Sequence, residues 1–228
     1  MAQPLRIAAF ASGGGTNLQS IIDRCEAGAI DATVVLVVSN REDAGALERA
    51  ANHGINAAVV PVGKELSDEF GSADERHVEL LREHSVDLVC LAGYMRRIGV
   101  GVLHAFEQRV LNIHPALLPS FKGAHGQRDA VEYGARVSGA TVHFADEEFD
   151  RGPIIIQAAV PVMPDDDEDS LAARILRQEH RIYPQAIQWV AEGRIRIEGR
   201  RVILDPPSRG SMEALEPGVI ISPTPEIE

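Results

Sequence analysis

The sequence predicts an α/β fold: a Rossmann-like, mostly parallel sheet flanked by helices, in a single domain. Three observations carry that expectation. Short apolar runs rich in valine and isoleucine alternate with amphipathic stretches of helical period, the pattern of βαβ units. The first apolar run ends in the glycine-rich turn Ser12-Gly13-Gly14-Gly15-Thr16-Asn17, directly before a helical pattern. No repeat or linker interrupts the stretch from Arg6 to Asp205, a length that suits one sizeable domain.

Arg6 to Ala11, Thr33 to Ser39, Ala57 to Val62 and Val86 to Ala92 read as the first four strands. Between them, Leu18, Ile21, Ile22 and Cys25 recur at i, i+3, i+4 and i+7, and Leu47, Ala50 and Ala51 continue the helical theme. Asp74 to His84 sets Val78, Leu80 and Leu81 among charges, a surface helix. Val110 to His114 is a short strand stopped by Pro115, and Pro119 is a candidate for a cis peptide bond, since such bonds are almost confined to X-Pro. A helix from about Gln127 to Tyr133 follows, then strands Ala140 to Phe144 and Ile154 to Val160 on either side of the acidic turn Asp146 to Gly152. Leu171 to Glu192 reads as a long closing helix and Ile195 to Leu204 as a hairpin. From Pro206 onward there are five prolines in 23 residues, a composition that predicts a loosely ordered tail.

Of the 228 residues, 45% are hydrophobic and 25% charged, the mix of a water-soluble globular chain. Apolar stretches such as Thr33 to Val38 fall far short of the roughly 20 residues a membrane span needs, and the start lacks signal-peptide architecture, so a cytoplasmic protein is expected. Cys25 and Cys90 alone make neither a disulfide framework nor a multi-cysteine metal site. The formal net charge of −12 argues against nucleic acid and anionic lipid as partners. Five of those excess charges lie in Asp165 to Asp169 and three in the stretch from Pro206, so the remainder is only mildly acidic and compatible with a small anionic ligand.

Glycines at a strand-to-helix turn let the backbone approach a ligand, and the helix start offers N–H groups, together an anion site. No Gly-Lys-Ser/Thr follows, so this is not a P-loop. Leu18 stands where the dinucleotide fingerprint has its third glycine, and the second strand ends at Asn40 instead of an acid. A single phosphate is the better match. A tight turn with Thr16 or Asn17 capping the helix is the plainer alternative.

Asn112 and His114 are two apart on a strand-like segment, which points both side chains from one face. An amide and an imidazolium can both donate to an oxygen that gains charge during attack on a carbonyl, and histidine can also move a proton. A carboxylate such as Asp150 beside the histidine would favour the imidazolium. An isolated Asn-x-His and an acidic surface turn are more often structural, so these residues alone decide little. His125 and His143 add histidines to this half without a diagnostic ligand spacing, and no metal is expected.

The string Leu111-Asn112-Ile113-His114-Pro115-Ala116-Leu117-Leu118-Pro119, with its spacing to Asp150-x-Gly152-Pro153-Ile154, resembles the signature of folate-dependent formyltransferases. Ser12 to Gln19, Val38 to Arg41, Leu91 to Arg96 and Gln178 to Pro184 are similar to further motifs of one branch, the phosphoribosylglycinamide formyltransferases, in the same order along the chain. The resemblance implies a catalytic domain over 1–205 followed by a Pro-rich acidic tail, 206–228. It implies formyl transfer from 10-formyltetrahydrofolate, as cosubstrate and without metal, to the amine of glycinamide ribonucleotide in purine biosynthesis. By the same resemblance Asn112, His114 and Asp150 are catalytic, and Gly15, Thr16, Asn17 and Glu179 hold the ribonucleotide. Met95, Arg96, Arg97 and Ile98, with Asn112, line the folate pocket. The two small molecules are then the partners, with neither nucleic acid nor membrane involved, in a monomer or homodimer.

Arg97 departs from the family, which tends to place an aliphatic residue there, and Leu176 replaces a residue polar in some relatives. Lys64 and Arg76 are candidates for a basic folate contact that the family draws from the loop before the helix at Asp74. Formyltetrahydrofolate deformylase is the main alternative, though it generally carries an additional N-terminal domain. A transfer-RNA formyltransferase would need a basic C-terminal domain, and a sugar-nucleotide formyltransferase would lack the glycine loop. A non-catalytic folate- or nucleotide-binding module would not require Asn112, His114 and Asp150 together.

Overall fold

Strands and helices alternate through the first half of the chain, and the computed structural model describes residues 3–62, 70–211 and 215–227. The chain divides between Asn112 and Ile113 into two compact units, each with its own sheet strands and helices. Both show the expected α/β class.

The first unit runs β1 (Leu5–Phe10), α1 (Thr16–Glu26), β2 (Ala32–Ser39), α2 (Gly45–Asn52), β3 (Asn56–Val59), α3 (Phe70–Glu83), β4 (Leu88–Leu91), α4 (Val100–Ala105) and the opening residues of β5 (Val110–His114). Its strand order is β3-β2-β1-β4-β5, and every pair is parallel. Ile7 to Phe10 and Leu88 to Leu91 are buried throughout, as parallel strands covered on both faces require. Leu18, Ile21 and Ile22 of α1 and Ala46 and Ala50 of α2 provide the apolar stripes that the helical period predicts. The strand order reverses between β1 and β4. A crevice opens at such a switch point, at the carboxyl ends of the strands, and it is the place where open α/β sheets bind ligands. β3 ends at Val59 and not at Val62 as the apolar run predicts, because Pro61 has no N–H to extend the ladder.

On α3, His77 packs edge-on to Phe10 (ring centroids 5.1 Å apart), and Phe10 in turn meets Tyr94 at 5.4 Å. Burial pushes the His77 imidazole down to about 4 from 6.5, and the nearby Asp74 carboxylate offsets only part of that. The unfolded chain therefore takes up this proton before the folded one does, so the stability His77 secures is full above pH 6.5 and is lost as pH falls toward about 4. His77→Phe is expected to flatten that part of the pH dependence, worth on the order of 3 kcal/mol at its limit. Urea unfolding between pH 7 and 4 measures it; equal slopes for parent and variant would refute the assignment.

The second unit continues β5 into α5 (Gly126–Tyr133), β6 (Val137–Phe144), β7 (Ile154–Pro161), α6 (Glu168–Ala191), β8 (Ile195–Glu198), β9 (Arg201–Leu204) and β10 (Ile220–Ser222). β6 and β7 pair antiparallel, β9 joins β7 in parallel, and β8 closes an antiparallel hairpin on β9. The acidic run before α6 serves the helix start. Asp167 and Ser170 form a reciprocal capping box, and Arg174 grips Asp166 at 2.6 and 2.8 Å, holding that carboxyl well below the usual range. Leu171, Ile175, Gln178, Ile182, Ala186 and Trp189 form the buried stripe of α6.

The loosely ordered tail is not what the structure shows. β10 adds antiparallel to β7, with Ile221 opposite Ala158. Glu226 accepts hydrogen bonds from Arg194 (2.6 Å), the Trp189 indole (3.1 Å) and the Arg209 N–H (2.7 Å), while the N–H groups of Glu226 and Ile227 donate to the Gln185 side chain. The Arg194 guanidinium is the main reason the Glu226 carboxyl sits at about 2. Composition misleads here because the partners lie on α6 and the β8 side of the unit, far off in sequence. Among the described residues, no helix is long and apolar enough to cross a membrane.

Candidate active site

In the first unit, the crevice between β1 and β4 is a cleft of about 510 Å³ lined by Ser12 to Asn17, Asn40, Arg41, Ala92, Gly93, Met95 and Arg96. Gly15 is the residue at the N-cap of α1, in the left-handed region (φ 71°), and no side chain caps the helix. The alternative of a plain turn capped by Thr16 or Asn17 is therefore not the arrangement found. The first bond inside the helix runs from Gln19 N–H to the Gly15 carbonyl at 2.9 Å, and the N–H groups of a helix's first turn point out of its end. Such an end attracts an anion through both its N–H groups and the helix dipole.

Ser12 fastens the walls of this cleft. Its N–H donates to the Gly93 carbonyl (3.0 Å), its hydroxyl donates to Asn40 Oδ1 (2.5 Å), and the same hydroxyl accepts from Met95 N–H (2.8 Å). Arg49 of α2 braces the glycine turn by donating to the Gly14 carbonyl at 2.7 Å. Ser12 opens the glycine motif without a role of its own there, and Arg49 lies in none of the motifs; the hydroxyl that joins three loops has no local signature.

In the second unit, His114 ends β5 with 4% exposure, and Asp150 stands in the loop before β7 with 5%. His114 Nε2 donates to the Phe121 carbonyl at 2.9 Å, and its Nδ1 lies 3.5 Å from Asp150 Oδ2. An acceptor thus faces each nitrogen of the ring. Asp150 Oδ2 also accepts from Gly123 N–H at 3.0 Å. Asp150 adopts φ 53°, a conformation that costs a non-glycine residue and that the surrounding contacts hold in place. His143 approaches the other carboxylate oxygen, with Nε2 3.7 Å from Oδ1, and its Nδ1 donates to the Phe144 carbonyl. Burial holds the His143 imidazole below its ordinary value, against the pull of that carbonyl and of Asp150. The sequence marks His143 only as an additional histidine. Its place at the end of a strand leading into the acidic turn was the available signal.

The 115–119 stretch is tied to β6 and β7. Thr141 Oγ1 donates to the Ala116 carbonyl (2.7 Å) and accepts from Leu118 N–H (3.1 Å), and the Gln157 amide donates to the Leu118 carbonyl (3.0 Å). The Leu118–Pro119 bond is cis.

The expected site residues thus fall into groups. Gly15, Thr16 and Asn17 share the first cleft with Met95 and Arg96, whereas Arg97 is exposed and neither it nor Ile98 lines that cleft. His114 and Asp150 meet in the second unit, where Glu179 is buried on α6. Asn112 is half-buried on β5 in register with Leu91 of β4. Lys64 lies outside the described residues, and Arg76 spends its guanidinium on Glu79 at 3.1 Å and Glu83 at 3.7 Å. Among the described residues, no group of three or more His, Cys, Asp and Glu is arranged to hold a metal ion.

Residues 5–187 match the family model described as formyl transferase. The chain is 41% identical over 204 residues to the phosphoribosylglycinamide formyltransferase of Escherichia coli (strain K12), an alignment spanning 88% of this chain and 94% of that one. A solved structure of glycinamide ribonucleotide transformylase 1 from Symbiobacterium toebii is 49% identical with a TM-score of 0.85, covering 90% of this chain and 95% of that one. A formyltetrahydrofolate deformylase from Pseudomonas syringae pv. tomato str. DC3000 has a TM-score of 0.83 at 28% identity, with 89% of this chain and 66% of that one covered. With its glycine-turn cleft, its Asn-x-His strand and four-fifths of its length inside the matched region, this chain belongs to the formyl transferase family.

Proposed function

We propose that this chain is a phosphoribosylglycinamide formyltransferase, which moves a formyl group from 10-formyltetrahydrofolate to the amine of glycinamide ribonucleotide. The observation that carries the reading is the start of α1: a helix end without a side-chain cap, opening into a cleft, in a chain 41% and 49% identical to two proteins named for this activity. A monoester phosphate fits that end, its charge met by the N–H groups of the first turn and by the dipole.

In this reading the substrate amine attacks the formyl carbon, and the carbonyl oxygen takes up the electron pair. The Asn112 amide donates to that oxygen, where charge develops only in the transition state, and the His114 Nε2–H joins it by leaving the Phe121 carbonyl. Collapse re-forms the carbonyl and breaks the bond to N10 of the folate, which takes a proton as the former amine loses one. Asp150 orients the His114 ring and takes part in that proton movement. Met95 to Ile98 contact the folate, and Glu179 accepts hydrogen bonds from the ribose. Both substrates are small molecules of the cytoplasm.

The test gives purified chain 10-formyltetrahydrofolate with and without glycinamide ribonucleotide and follows tetrahydrofolate together with the formylated amine. Release that depends on the amine and matches it in stoichiometry is expected. Equally fast release without the amine would make the chain a hydrolase and overturn the proposal.

A further inference from the structure

α4 has no cap of its own, since Gly99 at its N-cap offers no side chain. Its first-turn N–H groups go instead to Asp74 of α3: Gly101 N–H donates to Oδ2 at 2.6 Å and Val102 N–H to Oδ1 at 3.2 Å. Asp74 is 8% exposed, and a carboxylate held in such a place is stabilised mainly by these donors and by the positive end of the helix. The fit leaves no spare room. A Cβ added at Gly101 would lie 2.6 Å from the carboxylate oxygen, and one at Gly99 would overlap it.

The segment between β4 and α4 is therefore held at two ends. Ser12 fixes Gly93 and Met95 at the β4 end, Asp74 fixes the α4 end, and the Tyr94 ring packs between them against Phe10 and His77. Met95 and Arg96, which this segment carries, form one wall of the cleft. Asp74 does not line that cleft.

We propose that Asp74 is a positioning residue for the cosubstrate: by clamping the start of α4 it sets the 93–98 segment in the conformation that binds 10-formyltetrahydrofolate. The inference rests on the reading of Met95 to Ile98 as the folate contact. It ties three positions together, because Gly99 and Gly101 are small in order to admit the Asp74 carboxylate.

Asp74→Ala, Gly101→Ala and the double variant test it. Asp74→Ala is expected to raise KM for 10-formyltetrahydrofolate about tenfold, with kcat changed less than about threefold. Gly101→Ala in the parent chain should give the same loss, since the methyl group displaces the carboxylate, and should add nothing in the Asp74→Ala background. A silent Gly101→Ala, additive losses, or a kcat loss at unchanged KM would each overturn the proposal. Amide hydrogen exchange in Asp74→Asn, which keeps one acceptor oxygen, gives a readout independent of activity. Faster exchange over 93–98 sustains the clamp, and unchanged exchange there refutes it even if the parent chain transfers no formyl group. An absence of transfer by the parent chain would count against the proposed function alone.

Discussion

His114→Ala is expected to lower kcat by about 100- to 10,000-fold while shifting KM for 10-formyltetrahydrofolate only a few-fold, the range that loss of a proton-transfer group or an oxyanion donor produces. The ring is buried, its two nitrogens face the Phe121 carbonyl and Asp150, and the Gly123 N–H goes on holding Asp150 when the ring is gone. The variant therefore keeps a formed site and loses an interaction that matters when charge appears on the formyl oxygen. It also leaves a buried carboxylate with one partner fewer, at a cost of about 1–3 kcal/mol in unfolding free energy. Steady-state kinetics and urea unfolding separate the two effects. Turnover within tenfold of the parent would show that His114 is not in the reaction.

The second large effect is expected at Gly15. Its φ of 71° costs an L-residue about 1–2 kcal/mol, and a Cβ there would sit 2.9 Å from both Cα and Cβ of Ala46 on α2, adding about 1–3 kcal/mol of overpacking. Gly15→Ala should thus lower the urea midpoint and, by displacing the start of α1, raise KM for glycinamide ribonucleotide by about 100-fold. Gly14→Ala makes the contrast. A Cβ on Gly14 meets nothing within 4 Å, and its φ lies outside the left-handed region, so stability should stay within about 0.5 kcal/mol of the parent. The methyl group would instead occupy space at the cleft, and ribonucleotide binding alone should suffer. If both variants lost stability equally, the glycines would be a feature of the turn and not of the ligand.

That contrast shows how far the sequence reached. Three consecutive glycines indicate a ligand site, yet only the structure separates Gly15, which the backbone requires, from Gly13 and Gly14, which leave open space. The periodicity of Leu18, Ile21 and Ile22 and the fully apolar runs of β1 and β4 were legible because burial on one stripe or on both faces is a local property of the chain. α4 was not legible. Glycines at 99 and 101 weaken a helical pattern, and the cap that permits a helix comes from Asp74, more than twenty residues earlier. The approach of Asp150 to His114 depends on a left-handed residue and on the Gly123 N–H, and the ordering of the tail depends on Arg194 and Gln185. No pattern within a short window encodes any of these. The family resemblance singled out Asn112, His114 and Asp150 where the physical reading alone left them undecided.

The docking of the tail has a practical side. Trp189 is the single tryptophan of the chain, and its indole N–H is bonded to Glu226. Indole emission shifts with the polarity and hydrogen bonding around the ring. The intrinsic fluorescence of this protein therefore carries a built-in reporter at the place where the last residues meet α6. Detachment of that end can be followed without any label and told apart from global unfolding, which circular dichroism records separately.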